Sequence, residues 1–127
     1  MSEVVLDASA VMAVLRNEAG AAQVRQSLSV SNVSAVNVAE VVAKLIDYGA
    51  EPDEAQQAFG ILPCNVVPFD IAQAFSAGAM RARARGLGLS LGDRACLALA
   101  EAMNLPALTS DRNWKSFNST IEIRLIR

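Results

Sequence analysis

Four carboxylates, Asp7, Glu40, Asp93 and Asp111, stand where a predicted strand ends or a predicted helix begins. The first closes the apolar run Val4-Val5-Leu6. The others sit in Asn37-Val38-Ala39-Glu40, Ser90-Leu91-Gly92-Asp93 and Thr109-Ser110-Asp111. In a parallel sheet the carboxyl ends of the strands share one edge, where ligands usually bind. Asp7 and Asp111 would both lie on that edge, and Glu40 and Asp93, at helix starts, would join them. Carboxylates crowded into one pocket repel and raise one another's pKa. A hard divalent cation, Mg2+ or Mn2+, reverses that penalty, because it takes oxygen ligands and tolerates several waters. The same ion lowers the pKa of its water and stabilises charge on a phosphodiester transition state.

Each acid taken singly has a plainer explanation. Glu40 follows Asn37 by three residues and Asp93 follows Ser90 by three, so both resemble capping boxes. Asp111 suits the N-cap of a short turn and Asp7 the N-cap of a helix from Ala8. Capping accounts least well for Asp7, which an apolar strand delivers directly to the crevice. The full complement of side chains favours the shared-metal reading. The chain has no histidine, which removes Ser-His and Cys-His catalysis and imidazole as base or ligand. Its two cysteines, Cys64 and Cys96, lie in apolar segments at no metal or redox spacing and read as buried, reduced thiols.

The elements that must position the acids follow from periodicity and punctuation. Strands are expected at Val4–Leu6, Val30–Ala35, Asn65–Phe69, Ala107–Thr109 and Ile121–Ile126. Helices are expected at Ala8–Arg16, Ala21–Leu28, Val38–Tyr48, Pro52–Leu62, Ile71–Arg85 and Leu91–Met103. Ile71, Phe75 and Ala79 are expected to form a core-facing stripe, and Trp114 to anchor the last turn against the sheet. Strands alternating with helices predict an α/β fold, a central mainly parallel sheet flanked by helices. The 127 residues read as one domain, 1–127, with a substantial core. Apolar residues make up 53% of the chain, but no run approaches the ~20 residues of a membrane span. No signal segment is evident, so a cytoplasmic protein without a membrane partner is expected.

Net charge is −2, yet residues 1–78 carry three basic and nine acidic side chains, and residues 79–127 eight basic and four acidic. An acidic total therefore does not exclude a nucleic-acid partner. Arg94 and Arg112, each directly after a site acid, and then Lys115 are the candidate RNA-phosphate contacts. Arg81, Arg83 and Arg85 form a second basic cluster, in which Arg81 and Arg85 would share a helix face.

The order Asp, Glu, Asp, Asp, opened by Val-Val-Leu-Asp-Ala-Ser, resembles a PIN domain, specifically a VapC-type toxin. Asn-Val-Ala-Glu-Val at 37–41, Ser-Leu-Gly-Asp-Arg-Ala-Cys-Leu-Ala-Leu-Ala at 90–100 and Leu-Thr-Ser-Asp-Arg-Asn-Trp at 108–114 match the later motifs of that group. The resemblance spans essentially the whole chain. It implies a PIN-like three-layer sandwich and an Mg2+- or Mn2+-dependent endoribonuclease. Such an enzyme hydrolyses RNA by metal-activated water, leaving 5′-phosphate and 3′-hydroxyl ends. By the same analogy Asp7 and Asp93 are the principal metal ligands, and Glu40 and Asp111 bind metal directly or through water. Ser9 and Thr109 supply supporting hydroxyls. A VapB-type antitoxin and a homodimer are the implied partners. Relatives often place a further acid where Asn113 and Trp114 stand here, which speaks against a second fully charged metal site. A non-catalytic module of the same fold, holding a partner's arginine in its acidic pocket, is the rival reading. A phosphotransfer enzyme would want a second acid at the position of Ser9, and a receiver domain would want a late lysine in register.

Overall fold

The computed structural model describes residues 2–127, and its sheet is parallel throughout. Five strands, β1 (Val4–Leu6), β2 (Ser31–Ser34), β3 (Asn65–Val67), β4 (Ala107–Thr109) and β5 (Ile123–Leu125), lie in the order β3-β2-β1-β4-β5. The chain thus winds outward from β1 on one side, then returns to β1's other side as β4. Crossovers between parallel strands are right-handed, so such a reversal puts helices on both faces of the sheet. Alternation along β1 shows the result. Val4 and Leu6 enter a core with α1 (Ala8–Arg16), α2 (Ala21–Ser27), α3 (Ala35–Asp47) and α4 (Pro52–Gly60). Val5 enters the opposite core with α5 (Ile71–Ala79) and α6 (Leu91–Met103). The architecture is the expected three-layer α/β sandwich. Among the described residues no helix is long and apolar enough to cross a membrane.

Local chemistry sets the helix ends. Asp7 caps α1 by accepting from the Ala10 amide at 2.8 Å, and Asn17 ends it in the left-handed region at φ 53°. Ser90 and Asp93 form a reciprocal capping box at the start of α6, and Asn104 ends that helix at φ 54°. At the start of α4, Glu51 precedes Pro52 and its amide donates to the Glu54 carboxylate at 2.8 Å.

Several expectations are corrected. α3 begins at Ala35, not Val38, because Ser34 is its cap, accepting from the Val36 amide at 3.3 Å. Asn37 and Glu40 therefore lie inside the helix, and the capping-box reading of that pair fails. The helix after Ile71 ends as an α-helix at Ala79 and tightens into a 3-10 turn over Met80–Ala82. Its predicted stripe points outward: Ile71 is 70% and Phe75 73% exposed. The small residues Ala77 and Ala84, with Met80, are buried instead, which lets the alanine-rich α6 approach closely. β3 ends at Val67 and β5 spans only three residues, both shorter than the apolar runs that marked them. Both cysteines are free, Cys96 buried and Cys64 half-buried. Trp114 is fully buried, as an anchor requires.

Candidate active site

The switch in strand order falls between β1 and β4, and their carboxyl ends deliver Asp7 and Thr109 side by side. Thr109 Oγ1 donates to Asp7 Oδ2 at 2.6 Å, while Ser9 Oγ donates to Asp7 Oδ1 at 2.7 Å. The Ala10 amide shares Oδ1. A second tier fixes the donors. The Ser110 amide donates to Ser9 Oγ at 2.9 Å, and the Asp111 amide donates to Thr109 Oγ1 at 3.0 Å. Both hydroxyls singled out from the sequence thus orient Asp7 and brace the turn that carries Asp111.

The four carboxylates line a single cleft of about 310 Å³, together with Ser9, Lys44, Ser90 and Ser110. Three of them arrive as helix or turn caps. Asp7 heads α1, Asp93 occupies the first turn of α6, and Asp111 heads the 3-10 turn Arg112–Ser116, accepting from the Asn113 amide at 2.9 Å. Capping and site membership are therefore compatible, Asp7 included. Helix N-termini carry partial positive charge, so convergence of three of them offsets some of the acids' repulsion.

Glu40 reaches the cleft from the first half of α3 by a different device. The buried Asn37 amide group donates to Glu40 Oε1 at 2.8 Å and to the Gly92 carbonyl at 3.0 Å. It thereby ties α3 to the first turn of α6. Gly92 leaves the space that this carboxylate fills: a Cβ at this position would overlap Glu40 Oε2 and displace the carboxylate.

Electrostatics register the crowding. Burial pushes the Asp7 carboxyl up to about 6, against three hydrogen bonds that lower it, and Asp93 adds to the rise. Asp93 is itself raised, first by burial and further by Asp111. Beneath the cleft the buried Cys96 thiol is held well above its usual range by burial and by the fields of Asp7, Asp93 and Glu40. A divalent cation would relieve this. The donors are all hard oxygens, the chemistry that suits Mg2+ or Mn2+. Among the described residues no three acidic or cysteine side chains enclose a common point tightly enough to hold an ion by themselves. Asp93 accepts from the Ser90 amide at 3.0 Å, and Glu40 is held by Asn37. That openness fits Mg2+, which keeps several waters and binds through one or two carboxylates rather than a closed protein cage.

The predicted cations divide. Arg94 lines the neighbouring cavity instead of the acid cleft, and neither Arg112 nor Lys115 lines the cleft. The Lys115 ammonium donates to the Ile123 carbonyl at 2.6 Å, bracing β5. The cation at the acids is Lys44, which sequence reasoning missed. Its signal was available: Lys44 lies four residues after Glu40 on one helix, the spacing that shares a face.

A doubly wound parallel sheet with carboxylates gathered at its switch point defines the class: an α/β protein with an acidic, oxygen-only site. The PIN domain family model matches residues 4–119, and the chain belongs to that family. Solved structures of similar fold include DNA-bound VapBC from Salmonella typhimurium, 18% identical over 100% of both chains with a TM-score of 0.79. A toxin–antitoxin complex from Klebsiella pneumoniae is 18% identical over 98% of both chains, with a TM-score of 0.71. VapBC-5 from Mycobacterium tuberculosis, described as a member of the VapBC family of toxin–antitoxin systems, is 20% identical, with a TM-score of 0.64. That likeness covers 100% of this chain and 99% of the other. No curated protein matches the chain at a significant level.

Proposed function

We propose that the chain is an Mg2+- or Mn2+-dependent endoribonuclease acting as the toxin of a toxin–antitoxin pair. The observation that carries this reading is the single cleft lined by Asp7, Glu40, Asp93 and Asp111 in a chain without histidine. Asp7 and Asp93 would hold the metal, with Glu40 and Asp111 completing its shell directly or through water. The bound ion supplies Lewis-acid stabilisation of phosphodiester charge and a more acidic water.

The chain's own residues do the rest. Ser9, Thr109 and the Ala10 amide fix the Asp7 carboxylate in one orientation, so a ligand oxygen is presented without side-chain reorganisation. Glu40 and Asp111 stand at the cleft to orient a water and accept its proton. Lys44 places a positive charge where a phosphate would enter. Cleavage in line leaves a 3′-hydroxyl on one fragment and a 5′-phosphate on the other.

Membership in the PIN family and the toxin–antitoxin assemblies of similar fold support a VapB-type antitoxin as partner. A homodimer and a cytoplasmic location complete the proposal, and the exposed Ile71 and Phe75 on α5 offer apolar surface for a second copy.

Sequencing of RNA ends after induction tests the proposal and identifies the substrate. The wild type should generate new 5′-phosphate ends at defined sites, and Asp7→Asn should generate none. Identical end profiles from the two would overturn it. Calorimetry separates the rival binding-module reading: an enzyme binds Mg2+ or Mn2+ through Asp7, whereas a module that holds a partner's arginine has no need of the ion.

A further inference from the structure

Beside the acid cleft lies a larger concavity, of about 640 Å³, lined by Arg81, Arg85 and Arg94 with Gly86, Gly88 and Ser90 among its walls. Ser90 lines both hollows, so the two are contiguous. The lining contains three arginines and no acid. Among the described residues none of these arginines makes a salt bridge, whereas Arg83, between them in sequence, is committed elsewhere. It pairs with both carboxylate oxygens of Glu101, at 2.9 and 3.0 Å, and lies over the Phe117 ring. The alternating cluster therefore divides, with the middle arginine fastening the fold and the flanking two facing an open hollow.

Arg94 adds a second observation. Its Nη1 donates to the Ala77 carbonyl at 3.0 Å, which holds the guanidinium between α6 and α5. Its Nε is buried and has no protein acceptor. The side chain as a whole is only half-buried and lines the cavity, so the guanidinium is anchored from behind while part of it stays open to the hollow. The glycines keep the wall thin. Gly86 at φ 81° and Gly88 at φ 68° hold left-handed backbone that other residues rarely adopt, and nothing lies within 4 Å of where a Cβ would sit.

A cleft of four carboxylates repels the polyanion it is proposed to cut. A compensating attraction has to act on the strand at a neighbouring phosphate, and planar guanidinium groups match phosphate oxygens in pairs. We infer that the Arg81, Arg85 and Arg94 cavity is the subsite that holds a backbone phosphate of single-stranded RNA next to the bond presented to the acid cleft. The inference rests on the nuclease reading only in taking RNA as the strand; it concerns binding and not turnover.

The test is equilibrium binding of a fluorescein-labelled, mixed-sequence pool of single-stranded oligoribonucleotides. Anisotropy is followed in EDTA over a range of salt concentrations, with the full-length wild type, Arg81→Gln/Arg85→Gln, Arg81→Lys/Arg85→Lys and Arg25→Gln. Circular dichroism verifies that each variant is folded. The glutamine pair should weaken binding several-fold and flatten log K against log salt by about 0.7 for each phosphate no longer neutralised. The lysine pair should keep the slope, and Arg25→Gln, on α2, should match the wild type. Unchanged affinity and slope in the glutamine pair, or no RNA binding by the wild type, would overturn the inference. A parallel titration with a polyglutamate peptide covers the other anionic occupant. If the glutamine pair loses the peptide but not RNA, the cavity serves an acidic protein segment and the RNA assignment is wrong. Cleavage is scored separately in Mg2+, so an arginine-dependent binder that never cuts RNA would sink the nuclease reading and leave the subsite standing.

Discussion

Thr109 Oγ1 and Asp7 Oδ2 stand 2.6 Å apart across the junction of β4 and β1, joining residues 102 positions apart in sequence. The bond is the innermost link of the site, since the same hydroxyl accepts from the Asp111 amide and Thr109 is wholly buried. Thr109→Val keeps the shape and removes both interactions. It should destabilise the fold by about 1–3 kcal/mol, the cost of leaving buried polar groups unpaired. Thr109→Ser should recover most of that. Urea midpoints of the three proteins check the order, and a valine variant as stable as the wild type would show that the bond is dispensable.

Asp7 makes the site costly when ionised. Its folded-state pKa of about 6 lies above the ordinary 3.8, so the folded chain holds this proton more tightly than the unfolded chain does. Stability from this group is fully present below about 3.8 and is lost as pH rises through about 6. Relative to Asp7→Asn, the metal-free wild type should lose stability across that window, by an amount on the order of 3 kcal/mol at its upper end. Denaturation of both proteins in chelator over a pH series gives the difference curve. A flat difference would mean that Asp7 is not buried as described. Mg2+ should narrow the gap above pH 6, because the ion binds the ionised form.

Gly92 is predicted to be the glycine on which activity depends most. An added methyl would meet the Glu40 carboxylate end, and that carboxylate cannot simply swing aside without losing its bond to Asn37. Gly92→Ala should therefore displace Glu40 and lower RNA cleavage at least tenfold, roughly the loss expected when a positioned acid–base group is moved. Its thermal midpoint should change little, since alanine favours a helix that glycine does not. Retained cleavage at wild-type rate would remove Glu40 from the chemistry.

Arg83→Gln should separate the fold's arginine from the cavity's arginines. Its ion pair with Glu101 is partly exposed, with the two side chains 39% and 20% accessible, so the stability cost should stay near or below about 1 kcal/mol. RNA affinity and its salt dependence should match the wild type. A change in either would place Arg83 on the substrate path.

Much of the fold and site was legible in the chain because strong local signals coincide with the site. β1, α1, α6 and β4 occupy the residues that periodicity assigned, and all four acids reach one cleft. What escaped notice depended on packing rather than on local pattern. The Ile71 and Phe75 stripe has helical spacing but faces solvent, because the face packed against α6 is that of Ala77, Met80 and Ala84. Asn37 and Glu40 carry the spacing of a cap, yet Ser34 takes that role and frees the pair to bridge two helices. The basic cavity was invisible for the same reason: only the folded chain brings Arg94 beside Arg81 and Arg85 and withdraws Arg83.

Whether the acid cleft cuts RNA with a divalent metal is decided by one rate. It is the cleavage rate of total cellular RNA by the purified chain, titrated with Mg2+ and with Mn2+, beside Asp7→Asn and Asp93→Asn. Cleavage should rise with metal, stop in EDTA and be lost in both variants while their circular dichroism is unchanged. Cleavage that persists in EDTA, or in either folded variant, would contradict the metal-dependent nuclease.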